Sequence, residues 1–133
     1  MALHRRMSEA ALRSVARRER EDAAPRLRDE VPALATLYLE LEERRGESLV
    51  ASGAHVRRVV VEHAPALFDI PCGERSCPDG GHDLTREILS ALRRGATNFA
   101  GEDTCNGYTP AGNRCGIELH YVVVATYRPA AAT

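Results

Sequence analysis

Four cysteines, set in two pairs, carry the clearest chemical signal in this chain of 133 residues. Cys72 and Cys77 form the first pair, and Cys105 and Cys115 form the second. Thiolate sulfur is a preferred ligand of Zn²⁺, and four thiolates complete a tetrahedral shell with no open position. The set therefore predicts a structural site for one zinc ion. Its spacings, C-x4-C and C-x9-C, are looser than the C-x2-C of common zinc ribbons.

Glycines accompany the cysteines closely. Every cysteine has a glycine within three residues, in the segments Cys72-Gly73, Cys77-Pro78-Asp79-Gly80, Cys105-Asn106-Gly107 and Cys115-Gly116. Zinc-bound thiolates accept hydrogen bonds from backbone N–H groups in tight turns, and such turns need residues that tolerate a positive φ. The sequence around each cysteine is therefore typical of a metal-binding turn.

His82 adds a nitrogen donor five residues after Cys77. We expect it either to replace one thiolate or to support the ligands from outside the shell, with Asp83 orienting its ring or capping the next helix. Three cysteines plus His82 are therefore an alternative ligand set. An iron–sulfur cluster, disulfides and unliganded core thiols are further alternatives.

The expected cellular compartment helps to choose between a metal site and disulfides. The N-terminal sequence MALHRRMSEA is not followed by the apolar segment of a secretory signal, and no apolar run approaches the ~20 residues that span a bilayer. We therefore expect a cytoplasmic protein that does not contact the membrane. A reducing compartment disfavours disulfides and favours a metal site.

Short catalytic patterns give no positive signal in the sequence. It contains no G-x-S-x-G, no phosphate-binding glycine loop, no H-E-x-x-H and no H-x-E with P-C-x-x-C. We therefore expect a non-enzymatic interaction or regulatory module. The alternatives are a metal-dependent hydrolase with His82 in its site, and a thiol-based redox or metal sensor. The polar cluster available to a hydrolase is Asp79, His82, Asp83, Glu87, Glu102 and Asp103.

Alternating apolar and polar residues predict the strands that position the cysteines. The predicted strands are residues 35–43, 55–63, 97–101 and 117–127. The first two are expected to pair as an antiparallel hairpin across a polar connection, and the last is apolar on both faces at its centre, as in an interior strand. Asp83 is expected to cap a helix that ends at Gly95.

Connectivity predicts that the two cysteine pairs meet. We expect the second strand to run toward one rim of the sheet, so that Cys72 leaves the strand there. The helix after Asp83 then starts at that rim and the third strand returns to it. Because Cys105 follows the third strand and Cys115 precedes the last strand, all four thiols are expected at the same end of the sheet.

The N-terminus differs from the rest of the chain in charge. Residues 1–28 carry eight arginines against four acidic residues, whereas the whole chain has a net charge of −1. At ~100° per residue, residues 5–22 predict a helix with a thin apolar side and a basic side. The apolar side comprises Met7, Ala11, Leu12 and Val15, and the basic side comprises Arg6, Arg13, Arg17 and Arg20. A nucleic-acid-binding regulator that uses this helix is therefore another alternative.

Together these patterns predict an α+β fold. It has a mostly antiparallel four-stranded sheet, one packed helix, an N-terminal helix and a zinc site at one end of the sheet. We expect a basic helical arm over residues 1–28, a zinc-stapled domain over 29–128 and a disordered tail over 129–133. The expected partners are one zinc ion and a protein or second copy of the chain, with nucleic acid as the alternative.

Overall fold

The computed structural model describes residues 9–45, 48–73, 77 and 80–129. The helices are α1 (Glu9–Ala23), α2 (Leu27–Glu30) and α3 (Thr85–Arg93). The strands are β1 (Leu34–Arg45), β2 (Ser48–Val59), β3 (Asp69–Pro71), β4 (Gly81–Asp83), β5 (Asn98–Thr104) and β6 (Glu118–Tyr127). No helix in these ranges is long and apolar enough to cross a membrane.

The main sheet has four antiparallel strands in the order β2-β1-β6-β5. The predicted α+β class, antiparallel sheet, packed helix and N-terminal helix are therefore confirmed. In β1, Leu37, Leu39 and Leu41 are buried while the residues between them are exposed or half-buried, as the alternation predicts. Strand β6 pairs with both β1 and β5, which confirms its interior position.

Strand β2 differs from its prediction in extent. It begins at Ser48, where Ser48 pairs with Arg45, and it ends at Val59. The predicted polar connection is therefore largely strand, and residues 60–63 form a turn rather than the end of the strand. The sequence pattern did not predict this earlier start of β2 because its first half, SLVASG, lacks a run of β-branched residues. Gly46, part of the predicted connection, lies outside the described residues.

The direction of β2 also corrects the connectivity prediction. Val59 lies opposite Leu37, which pairs with Ala125, so β2 ends at the rim where β6 ends. Cys105 and Cys115 lie beyond the other rim, which we call the cysteine rim. The expectation that Cys72 leaves the second strand at the rim of the thiols is therefore wrong, because residues 60–71 first cross back along the sheet.

The crossing segment and α3 cover one face of the sheet. Buried side chains from the segment include Val61, Phe68 and Ile70, and they belong to the same apolar core as the β1 leucines. Helix α3 adds Ile88 and Leu92 to that core. Gly95 follows the helix with a φ of +76°, as predicted. The N-cap residue is Leu84 rather than the predicted Asp83, which ends β4, although the Asp83 side chain still accepts a hydrogen bond from the Thr85 N–H (3.1 Å).

Two small elements were not predicted. Strands β3 and β4 form a two-stranded antiparallel sheet of three residues each, in which Ile70 pairs with His82. Helix α2 is a single turn whose Leu27 is fully buried. Both are too short for hydrophobic periodicity to reveal them.

Helix α1 contacts the body through its basic side. Leu12 and Val15, from the predicted apolar side, are 53% and 41% exposed. Arg17 is half-buried, and Arg20 forms an ion pair with Asp69 of β3. The basic side therefore faces the domain, because that side meets an acidic partner while the apolar side is too thin to pack. The part of the predicted helix before Glu9 lies outside the described residues.

Candidate metal centre

Two hairpin connections bring the four cysteines together. The segment between β3 and β4 contains Cys72 and Cys77, and the segment between β5 and β6 contains Cys105 and Cys115. The Cys72 N–H donates to the carbonyl of Gly80 (3.3 Å), which closes the first connection. In the second connection, the Cys105 N–H donates to the carbonyl of Ile117 (2.8 Å). Each pair is therefore held at the tip of a hairpin.

The two tips meet at the cysteine rim. The Sγ atoms of Cys72 and Cys115 are 3.7 Å apart, and those of Cys77 and Cys105 are 3.6 Å apart. All four Sγ atoms lie within 4.8 Å of one another, and all four residues are buried free cysteines. The predicted convergence is confirmed, and the set can hold a metal ion. Each short Sγ–Sγ distance joins the two connections, so an ion here would crosslink them.

Two glycines make this approach sterically feasible. A Cβ atom added to Gly80 would lie closer than 3.0 Å to the Sγ atoms of both Cys77 and Cys105. A Cβ atom on Gly107 would lie 2.5 Å from the Cys77 Sγ and 2.6 Å from the Gly80 Cα. The backbone therefore passes directly over the sulfurs, and any side chain at either position would displace them.

Backbone N–H groups surround the sulfurs of the second connection. The Gly107 N–H donates to the Cys105 Sγ (3.4 Å), and the Ile117 N–H donates to the Cys115 Sγ. In both cases the donor lies two residues after the cysteine, and Gly116, with a φ of +73°, permits the second turn. Such donors favour the thiolate form, which is the form that binds metals.

The pKa values of Cys77 and Cys115 shift in opposite directions. Burial, together with hydrogen bonds to Cys115 and Cys105, raises the pKa of Cys77 to about 12. Burial also acts to raise the pKa of Cys115, but hydrogen bonds from Ile117 and the other thiols outweigh it and lower the pKa of Cys115 overall. These hydrogen bonds favour the thiolate form of Cys115, and a bound cation would take the place of the thiol protons.

Comparison with known proteins identifies no relative. No family model, curated protein or solved structure matches the chain. The chemistry of the site must therefore be argued from its own geometry.

His82 lies near the cysteine rim but makes a different contact. Its side chain is 0% exposed, and its Nδ1 lies 2.7 Å from the Asp103 Oδ2. The ring therefore pairs with Asp103 of β5 rather than with Asp83, which accepts the Thr85 N–H. Its Nε2 is buried without a hydrogen-bond partner among the described residues. His82 is not one of the side chains whose ligand atoms lie within 4.8 Å of one another at this centre.

The polar cluster that a hydrolase would need is divided by the sheet. Asp103 faces the covered side with His82, whereas the adjacent Glu102 faces the open side, because successive strand residues point to opposite faces. Burial, followed by the negative charges of Glu87 and Asp103, raises the pKa of Tyr121, so Glu87 also belongs to the covered side. Asp79 lies outside the described residues.

Sequence reasoning missed Glu43, which anchors the first connection. Its side chain accepts a hydrogen bond from the Gly73 N–H (2.8 Å), directly after Cys72, and the residue is buried. A signal was present, because Glu43 continues the buried alternation of Leu39 and Leu41 in β1. A carboxylate on the buried side of a strand indicates a specific hydrogen-bond partner.

The open face of the sheet carries a second group of metal-binding side chains, Glu102, Glu118 and His120. The His120 Nε2 lies 3.2 Å from the Glu118 Oε2, and its Nδ1 lies 3.5 Å from the Glu102 Oε1. These side chains are solvent-accessible, and each ring nitrogen of His120 lies next to one of the two carboxylates. The group differs in this respect from the buried thiols.

Proposed function

We propose that the chain is a small zinc-binding domain in which Cys72, Cys77, Cys105 and Cys115 hold one Zn²⁺ as a structural site. The observation that carries this proposal is the convergence of four buried thiols from two separate hairpins. Burial of four thiols without a disulfide or a metal leaves weak hydrogen bonds as their only polar interactions. A bound ion would use all four sulfurs as ligands.

The distances favour zinc over the alternatives from the sequence. With Zn–S bonds of about 2.3 Å, tetrahedral geometry separates neighbouring sulfurs by about 3.8 Å, close to the observed 3.6 and 3.7 Å. An iron–sulfur cluster places several iron and sulfide atoms between its cysteines, so it needs more room than the 4.8 Å limit leaves. A disulfide requires an S–S bond of about 2.05 Å.

A closed shell supports a non-enzymatic role. Four thiolates leave no position at which zinc could activate water or bind a substrate. We therefore propose that the ion holds the fold together and that the protein acts as an interaction or regulatory module through its surfaces. The open sheet face carries a groove of about 720 Å³ across all four strands, which offers a surface to a protein partner or a second copy.

Elemental analysis of protein purified without added metal tests the proposal directly. We expect one zinc per chain. Removal of the metal by a strong chelator should reduce the secondary structure seen by circular dichroism, and added Zn²⁺ should restore it. Protein that is folded and contains no metal, or that contains iron and sulfide, would disprove the structural zinc site.

The unpartnered Nε2 of His82 favours one second candidate, a site of three cysteines plus His82 that could open for catalysis. Substitution with Co²⁺ distinguishes the two ligand sets, because the ligand-field bands of a four-thiolate site differ from those of a site with one nitrogen. We expect His82→Ala to leave the cobalt spectrum unchanged. A changed spectrum would assign His82 as a ligand.

The remaining alternatives have tests of their own. A thiol-based sensor should release zinc and lose structure in mild peroxide, whereas a purely structural staple should resist it. A nucleic-acid regulator should bind DNA or RNA with strong salt dependence. The described arginines of α1 that this role would use, Arg13, Arg17 and Arg20, line the contact with the body.

A further inference from the structure

The groove on the open face of the sheet runs across the strands rather than along one of them. It has a volume of about 720 Å³, and residues at matching positions of all four strands line it. The crossing segment and α3 cover the opposite face of the sheet. The side chains that enter the groove from the open face form two parallel rows, because directly paired residues of neighbouring strands point to the same face.

The first row is mostly apolar. Across the sheet it comprises Val56, Glu40, Val122 and Ala100. Val56 is 67% exposed, Ala100 is also exposed, and Val122 is half-buried although it lies on an interior strand. This row therefore presents apolar surface to water, which a partner would cover with a gain in free energy.

The second row is polar and mostly acidic. It comprises Ala54, Glu42, His120 and Glu102. Of its two carboxylates, that of Glu42 pairs with Arg44 outside the groove (2.9 Å), and that of Glu102 lies 3.5 Å from the His120 ring. We call these two rows the apolar row and the acidic row.

The charge of the groove is negative. Three glutamates line it, and no lysine or arginine is among the described residues that do so. Glu40 has no ion pair among the described residues, and it lies within the apolar row beside the acidic row. A cationic side chain placed over Glu40 would therefore gain an ion pair at the border of an apolar contact.

The arrangement of the two rows selects the shape of the partner. An extended peptide presents a single row of side chains to a surface, because its alternate side chains point away. A helix presents two adjacent rows on one side, and an amphipathic helix makes one row apolar and the next row charged. Four strands span about 14 Å, which is roughly three helical turns.

We propose that this groove binds a cationic amphipathic helix of a protein partner. Its apolar side chains would cover the apolar row, and its lysines or arginines would pair with Glu40 and the acidic row. The inference rests on the proposed role as an interaction module and names the class of partner. It does not depend on which metal the cysteines hold.

Fluorescence anisotropy with two labelled peptides tests the charge of the site on full-length, zinc-loaded protein. One peptide is a helix of about 18 residues with leucines on one side and lysines beside them, and the other has glutamates in place of the lysines. We expect only the lysine peptide to bind. Glu40→Arg should weaken its binding about tenfold or more. Glu62→Arg, on the exposed turn after β2 and outside the groove, should change binding by less than about threefold.

A second pair of variants tests the apolar row. Val56→Thr keeps a β-branched shape and replaces one methyl group with a hydroxyl, so it should weaken the lysine peptide by about threefold to tenfold. Val60→Thr is the matched control, because Val60 is also exposed (54%) and lies outside the groove. If Glu40→Arg does not fold, Glu40→Gln removes the same negative charge and should also weaken binding.

Three results would overturn the helix site. The first is no binding of the lysine peptide at about 1 mM by folded protein with one zinc per chain, which would leave the zinc proposal intact. The second is an equal loss in the Glu40 and Glu62 variants, which would show attraction to the whole surface rather than to the groove. The third is a dimer in sedimentation that Val56→Thr separates, since a second copy would then occupy the groove.

Discussion

The domain has two cores that are stabilised in different ways. Among the described residues, the larger core contains eighteen buried residues, most of them from the sheet, α2, α3 and the crossing segment, and burial of apolar surface is sufficient to explain it. The smaller core, at the cysteine rim, contains the four cysteines and, in the described part of the chain, a single aliphatic residue, Ile117. Burial of one isoleucine contributes only about 1.5–3 kcal/mol, while ordering each loop residue costs about 1–2 kcal/mol. The difference between the two cores therefore supports the proposed ion at the cysteine rim.

The largest effect is expected at the cysteine rim. Cys105→Ser should abolish zinc binding and remove apparent binding energy of about 10 kcal/mol or more, which is comparable with the whole stability of a small domain. We expect the variant to contain no zinc and to unfold at a much lower temperature in circular dichroism. A variant that kept both its zinc and its melting temperature would show that Cys105 is not a ligand.

In the larger core, the effect should be moderate and independent of metal. Leu39→Ala removes a fully buried side chain of β1 and should cost about 2–5 kcal/mol in the free energy of unfolding, measured by urea titration. Its zinc content should stay at one per chain. If this variant lost zinc as readily as Cys105→Ser, the two cores would be one cooperative unit.

A substitution at Gly107 can change the affinity for zinc without removing a ligand. Gly107→Ala places a methyl group against the Cys77 sulfur and should lower zinc affinity about tenfold or more in a chelator competition. Gly112→Ala is the matched control in the same connection. It has a positive φ of +84° but open space around its Cα, so it should cost about 1–2 kcal/mol of stability and leave the affinity unchanged. Equal affinities for the two variants would contradict the described packing.

The smallest effect is expected at Glu43, which links the two cores. Glu43→Gln keeps an acceptor for the Gly73 N–H but loses its charge, so we expect a loss of about 1 kcal/mol in urea titration. Glu40→Gln, on the exposed side of the same strand, should change stability by less than about 0.5 kcal/mol. A larger loss of stability in Glu40→Gln than in Glu43→Gln would contradict the role of the Glu43–Gly73 hydrogen bond.

The elements that sequence reasoning predicted are those with long, regular patterns. The alternation of apolar and polar residues predicted β1 and β6, and Asp83 and Gly95 indicated the two ends of α3. The meeting of the four cysteines was also predicted, although one premise, the direction of β2, was wrong. The conclusion held because the crossing segment returns the chain to the cysteine rim.

The features that were missed depend on tertiary contacts. The β3–β4 pair has three residues per strand, so no period can be read from it. Helix α1 contacts the body through its arginines because Asp69, which is distant in the sequence, forms an ion pair with Arg20. The burial of His82 follows from its contact with Asp103, which local sequence does not reveal.

The order of the cysteines along the chain has a consequence for proteolysis. Cys72 and Cys77 precede α3, whereas Cys105 and Cys115 follow the exposed turn at Gly95. A protease that cut this turn would leave one fragment with each pair. The β1–β6 pairing and the shared apolar core would still hold the fragments together, and the proposed ion would add a second link between them. The nicked protein should therefore migrate as one particle, and a chelator should make it dissociate at a lower denaturant concentration.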